Sequence, residues 1–75
     1  MKTIVAVSLG TDAKSGEVDP TAPFMVSTTK EPSRTWFYHD EPEVIAQMMP
    51  GEREARFEAE WIEGQWKFGR RIADA

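Results

Sequence analysis

The stretch from Arg53 to Ile72, REARFEAEWIEGQWKFGRRI, alternates apolar Ala55, Phe57, Ala59 and Trp61 with charged Arg56, Glu58 and Glu60. A period of two belongs to a β-strand with one buried face, because successive side chains leave the pleat on opposite sides. After Glu63-Gly64 the alternation resumes with Trp66, Phe68 and Ile72, and Lys67 and Arg71 sit between them. A turn at Glu63-Gly64 sets Trp61 opposite Trp66, Ala59 opposite Phe68 and Glu60 opposite Lys67. One face is then aromatic and the other carries a cross-strand charge pair. A helix is the competing reading, since Glu, Arg and Ala favour it and Pro50 and Gly64 would bracket it. On a helix, however, Phe57, Ala59, Trp61 and Ile62 scatter around the axis and form no stripe. The pattern therefore predicts an amphipathic C-terminal hairpin.

Upstream, Thr3–Leu9 (TIVAVSL) is β-branched and nearly all apolar, which predicts a central strand covered on both faces. Gly10–Pro23 is polar and broken by Gly16, Pro20 and Pro23, a long loop for a chain of 75 residues. Phe24–Thr29 reads as a second strand with Phe24, Val26 and Thr28 on one face. Lys30-Glu31-Pro32-Ser33 supplies turn chemistry, and Thr35–His39 reads as a third, aromatic strand. Asp40-Glu41-Pro42-Glu43 matches a capping box, with Asp40 as the cap and Pro tolerated in the first turn. A short helix should follow through Val44, Ile45, Met48 and Met49, and Pro50-Gly51 should stop it. The expectation is a single α+β domain over 1–75, in the order β-β-β-α-β-β. Its sheet of about five mostly antiparallel strands carries the helix on one face.

A chain of 75 residues without cysteine has neither disulfides nor thiolate metal sites to reinforce it. Its compensation is aromatic: three Trp and four Phe, each burying a large apolar area. Dimerisation is the other common remedy for so small a core, so a homodimer is an alternative to the monomer. The net charge is −4 and is unevenly spread. Residues 1–39 balance, whereas residues 40–63 hold eight acids against Arg53 and Arg56. That acidic middle argues against direct binding to a nucleic-acid backbone, which needs a basic face. Its plain reading is a solvated surface; its functional reading is a basic protein partner. The opening MKTIVAVSLG has a basic residue and an apolar run, but the run stops at Leu9 with no cleavage site after it. No apolar run reaches the length of a membrane span, so a cytoplasmic protein is expected.

Catalytic and metal chemistry find little support. His39 is the lone histidine, and its neighbour Asp40 would point to the opposite side of a strand, poorly placed to orient it as a base. Asp12, Glu17 and Asp19 share a loop, but their spacing fails the EF-hand pattern. One histidine without cysteine makes no typical zinc site, and no glycine-rich phosphate loop precedes a helix. No enzyme activity, cofactor or metal is expected. Trp36, Phe37 and Tyr38 could stack bases, yet a basic groove is missing beside them, and core packing accounts for them better. Since the strand alternates, Trp36 and Tyr38 share one face and Phe37 takes the other, so one face leaves aromatics partly exposed.

The outer face of the hairpin remains, with Glu58 and Glu60 about 7 Å apart on one side and Glu52, Glu54 and Glu63 near them. Such a row is spaced like phosphates along a nucleic-acid strand and suits the basic groove of a nucleic-acid-binding protein. On class-level grounds the chain is similar to the small acidic inhibitors and adaptors of phage and mobile elements, anti-CRISPR-type proteins among them. That is an analogy of size and charge. The expected contact residues are Glu52, Glu54, Glu58, Glu60 and Glu63, together with Trp36 and Tyr38. The alternatives are a small-molecule-binding or enzymatic domain with its pocket between the sheet and the Gly10–Pro23 loop, and a structural subunit of a homo-oligomer.

Overall fold

The computed structural model describes residues 2–19 and 21–72. Pro20, one of the residues that break the long loop, lies outside them. The chain runs β1 (Lys2–Ser8), β2 (Phe24–Thr28), β3 (Thr35–Tyr38), α1 (Pro42–Gln47), β4 (Glu54–Ile62) and β5 (Gln65–Ile72). The strands form one antiparallel sheet in the order β3-β2-β1-β4-β5. This is the small α+β fold that the alternation and turn signals predict. The hairpin register is also as read: Trp61 faces Trp66, Ala59 faces Phe68 and Glu60 faces Lys67. Its turn has positive φ at both central residues, 52° at Glu63 and 81° at Gly64. That is the mirror-image turn whose twist matches a hairpin, and glycine occupies it without a Cβ penalty.

One face of the sheet carries Val5, Val7, Phe24, Val26, Ala55, Phe57 and Ala59, all buried. Val44 of α1 closes onto them, with Ile45 and Met48 partly buried beside it. The sheet cannot be flat. Four strand spacings of about 4.8 Å separate β3 from β5, roughly 19 Å, which is further than a tyrosine side chain reaches. Yet the Tyr38 hydroxyl accepts the Trp66 backbone N–H at 2.8 Å, and the Tyr38 and Phe68 rings meet edge-on at 5.5 Å. The sheet therefore curls around its aromatic face, and the right-handed strand twist supplies the sense of the curl. The two outer strands stay apart, since no Cα of β3 comes within 8 Å of β5. The Tyr38 side chain bridges the gap on the concave side, and α1 packs against β5.

The two edges of the sheet are treated differently. In β5 the register slips between Phe57 and Ala59 of its partner, a bulge at Gly69-Arg70 where a Cβ on Gly69 would press on the Glu58 carbonyl at 3.3 Å. The Gln47 side chain lies along that edge. Its amide donates to the Gly69 carbonyl at 3.0 Å and accepts from the Arg71 N–H at 2.8 Å, as a neighbouring strand would. Among the described residues no side chain bonds the outer edge of β3 in this way.

Two expectations need correction. Asp40 does not cap the helix: it adopts a left-handed φ of 64°, the N-cap is Glu41, and no side chain caps it. Pro42 instead starts the helix at N1, where its missing N–H costs nothing. β1 is central but covered on one face only, leaving Ile4 41% exposed on the other. A near-continuous apolar run reads as two-sided burial, but with one short helix there is no second layer to supply it. The long loop carries local structure of its own. Thr11 bridges Val18, and the Asp12 carboxylate accepts the Lys14 and Ser15 N–H groups at 2.7 and 3.1 Å.

Candidate protein-interaction surfaces

The structure divides the expected contact residues among four places. Glu52 is held in a clasp. Its carboxylate accepts the Met49 N–H at 3.0 Å and one arm of the Arg71 guanidinium at 2.6 Å, while the second arm meets its other oxygen. Arg71 also donates to the Gln47 carbonyl at 3.2 Å. The two-pronged Arg71 bond, seconded by the Met49 N–H, holds the Glu52 carboxyl below its ordinary value. Glu52 thereby pins the chain after α1 onto β5, a structural task.

Glu54, Glu58 and Glu60 project from the open face of the sheet, across from Ser8, Ile4 and Lys2 of β1. The row is there, but cations are interleaved with it. Arg70 bonds Glu58 at 3.2 Å, Lys67 stands opposite Glu60, and Arg56 lies between Glu54 and Glu58 in the strand. A wide depression of about 700 Å³ is lined by both signs, Lys2, Lys67 and Arg70 with Glu58 and Glu60. Interleaving of this kind leaves little net field for a basic partner.

Trp36 and Tyr38 lie on the opposite, concave face. Trp36 meets Trp61 at 5.2 Å and Trp66 at 5.5 Å, and Trp61 meets Trp66 at 5.1 Å. Centroids this close mean the indoles fill one another's space. A cation needs to sit within about 6 Å of each ring face, and no cage remains between these three. The Trp66 Nε1–H is buried among them without a hydrogen-bond partner among the described residues. Tyr38 is committed to Trp66 and to the Phe24 and Phe68 rings. The tertiary fold thus sets the aromatic and acidic halves of the expected site on different faces.

One surface does bring the two chemistries together, at the end of the hairpin. Trp61 and Ile62 pair with Trp66 and Gln65 of β5, and Trp61 is 45% exposed. Glu63 follows in the turn. Helix α1 starts beside the first residues of β5, where Glu41, Glu43, Gln65, Trp66 and Lys67 line a cleft of about 240 Å³. Exposed Trp61, half-buried Trp36 and the carboxylates of Glu41, Glu43 and Glu63 therefore share this end. No protein-family model, curated protein or solved structure matches the chain.

The sequence reading missed Trp61 and the pair Glu41 and Glu43 as surface groups. Trp61 sits in phase with buried Ala59 and Phe57, so periodicity assigns it to the core. Its exposure is set by what other strands bring beside it, which periodicity does not encode. Phe37 was the better anticipated residue. It takes the face opposite Trp36 and Tyr38 and is 72% exposed. Among the described residues no three acidic or histidine side chains gather as a metal site would require, and the Asp19 carboxylate is turned to Thr21 at 2.6 Å. No helix among those residues is long and apolar enough to cross a membrane.

Proposed function

We propose that the protein is a non-catalytic binding module of the inhibitor or adaptor type, acting in the cytoplasm on a basic protein partner. A protein with a nucleic-acid-binding groove is the partner class that fits. The observation that carries this reading is the half-exposed Trp61, held rigid by Trp36 and Trp66, at an end where Glu41, Glu43 and Glu63 outnumber Lys67. An indole fixed by its neighbours loses little freedom on binding, which is why Trp so often anchors an interface. A partner arginine can stack on its outer face while Glu63, Glu41 or Glu43 takes the guanidinium N–H groups. The steering charge comes from Glu41, Glu43 and Glu63 at this end of the molecule, not from the interleaved row on the open face. In this form the reading moves the anchor from Trp36 and Tyr38 to Trp61 and keeps Glu63. It gives Glu54, Glu58 and Glu60 a peripheral part and Glu52 none.

The test is capture of partners from lysate at low and moderate salt, followed by titration of the recovered protein. Three baits are compared: wild type, Trp61→Ala/Glu63→Lys, and Glu58→Lys/Glu60→Lys. The expected result is one basic partner, weakened by salt, lost with the first variant and reduced only modestly with the second. A partner that binds the Trp61 variant as tightly as wild type refutes the reading. One observation favours a second reading, a ligand-binding domain. A groove of about 690 Å³ runs beside the base of the Gly10–Pro23 loop, lined by Leu9, Pro23, Met25, Phe37, Arg53 and Glu54 among others. A thermal-shift screen that finds a ligand, abolished by Met25→Glu, would favour it.

A further inference from the structure

We infer that the protein pairs with a second copy of itself through β3, edge to edge. The direction of the backbone groups settles which residues are available. Thr28 N–H donates to the Arg34 carbonyl at 3.0 Å, and the same register sets Val26 opposite Trp36 and Phe24 opposite Tyr38. In an antiparallel ladder the bonded pairs recur at every second residue. The N–H and C=O groups of Trp36 and Tyr38 thus point to β2, and those of Thr35 and Phe37 point away from the sheet. The same parity holds across the sheet, where Leu9 N–H bonds the Arg53 carbonyl at 2.7 Å and the Trp66 N–H turns outward to Tyr38.

An open edge asks for a strand, and natural sheets block such edges with a bulge, a proline, a charge or a covering element. β5 has two of these, the bulge at Gly69-Arg70 and the Gln47 amide. β3, reading TWFY, has none within the strand. This asymmetry chooses the occupant. With β5 blocked, a head-to-tail chain of sheets cannot propagate, and β3 of one copy meets β3 of another about a two-fold axis, a closed pair. Centred on Trp36, the antiparallel register sets Thr35 opposite Phe37 of the second copy and makes about four backbone hydrogen bonds. The two Phe37 rings then lie diagonally across the axis, within aromatic reach, and cover surface that is otherwise open. The charges agree. Arg34 and Asp40, at the two ends of the strand, carry opposite signs, and two-fold pairing brings Arg34 of each copy toward Asp40 of the other. The pairing uses the outward backbone groups of Thr35 and Phe37 and the exposed Phe37 ring, none of which the Trp61 reading uses, so it stands whether or not the proposed function does.

A four-residue edge makes an interface below standard size, with association expected between about 10 μM and about 1 mM. Sedimentation velocity across that range should show the wild type passing from monomer to dimer. Phe37→Lys should remain monomeric throughout with an unchanged circular dichroism spectrum, since the residue it replaces is exposed. Hydrogen exchange gives the register: the Thr35 and Phe37 amides should gain protection as concentration rises. A wild type that stays monomeric to the top of the range overturns the inference and leaves the edge to an extended segment of another protein. A dimer that survives Phe37→Lys, or one that leaves both amides unprotected, overturns it as well.

Discussion

Tyr38 was expected to touch a partner, and the structure gives it a different task whose size can be worked out. Its hydroxyl is the acceptor for the Trp66 N–H at 2.8 Å, and that bond ties the two outer strands across the seam of the curled sheet. Tyr38→Phe removes the acceptor and leaves the ring, so the stack on Phe24 at 6.4 Å and the edge contact with Phe68 at 5.5 Å persist. The loss is then the penalty for a partly buried backbone donor without a partner, about 1–2 kcal/mol. A domain of this length has a total stability of roughly 4–11 kcal/mol, so the change is a sizeable share. For a domain this small it corresponds to a fall in Tm of about 5–15 °C. Thermal unfolding followed by circular dichroism measures that directly, and amide exchange at Trp66 reports the local opening. A Tm within about a degree of wild type, with unchanged protection at Trp66, would refute the claim that this bond closes the seam. Partner binding through Trp61, by contrast, should survive the substitution at temperatures where the variant is folded.

The remaining expectations follow from the same contacts. Gln47→Ala uncovers the Gly69 carbonyl and the Arg71 N–H, so it should cost about 1–2 kcal/mol. It also opens the second sheet edge, and light scattering should detect higher aggregates that the wild type lacks. Phe57→Ala empties the centre of the core at a residue with no exposed surface. A cost of about 3–5 kcal/mol should lower the Tm followed by circular dichroism by more than about 12 °C. Glu52 has a lowered carboxyl pKa in the fold because of Arg71 and the Met49 N–H. Its stabilisation is therefore complete above the ordinary glutamate value of about 4.3 and is lost as pH falls toward the folded value. Glu52→Gln should be less stable than wild type at pH 7 and should lose less on acidification to pH 3 in urea titrations, converging with wild type there.

Much of the fold was legible because it rests on neighbours in the chain. The alternation in EARFEAEWI and QWKF encodes which side of a strand each residue takes, and Glu63-Gly64 encodes the turn that fixes their register. Both are local steric facts, so the hairpin pairs as read. The helix start was half legible. Pro42 marks N1 through its fixed φ, but the Asp40 capping pattern failed because the chain leaving β3 must turn sharply to reach the seam. The left-handed conformation that makes this turn takes Asp40 out of the cap position.

The surfaces were much less legible, for a reason of distance. Arg56, Glu58 and Glu60 alternate outward as the sequence demands, yet whether they make an acidic face depends on Lys2, Lys67 and Arg70 arriving from other strands. Glu52 and Arg71 lie 19 residues apart, and nothing in either neighbourhood announces their pairing. Trp61 is in phase with the core, yet it is 45% exposed in the fold. By itself the sequence determined the strands, their faces and the hairpin turn, because side-chain alternation and backbone sterics act between adjacent residues. The tertiary structure decided the curl of the sheet, the blocked edge at β5, the open one at β3 and the company each charge keeps. Those depend on which distant segments come to lie side by side.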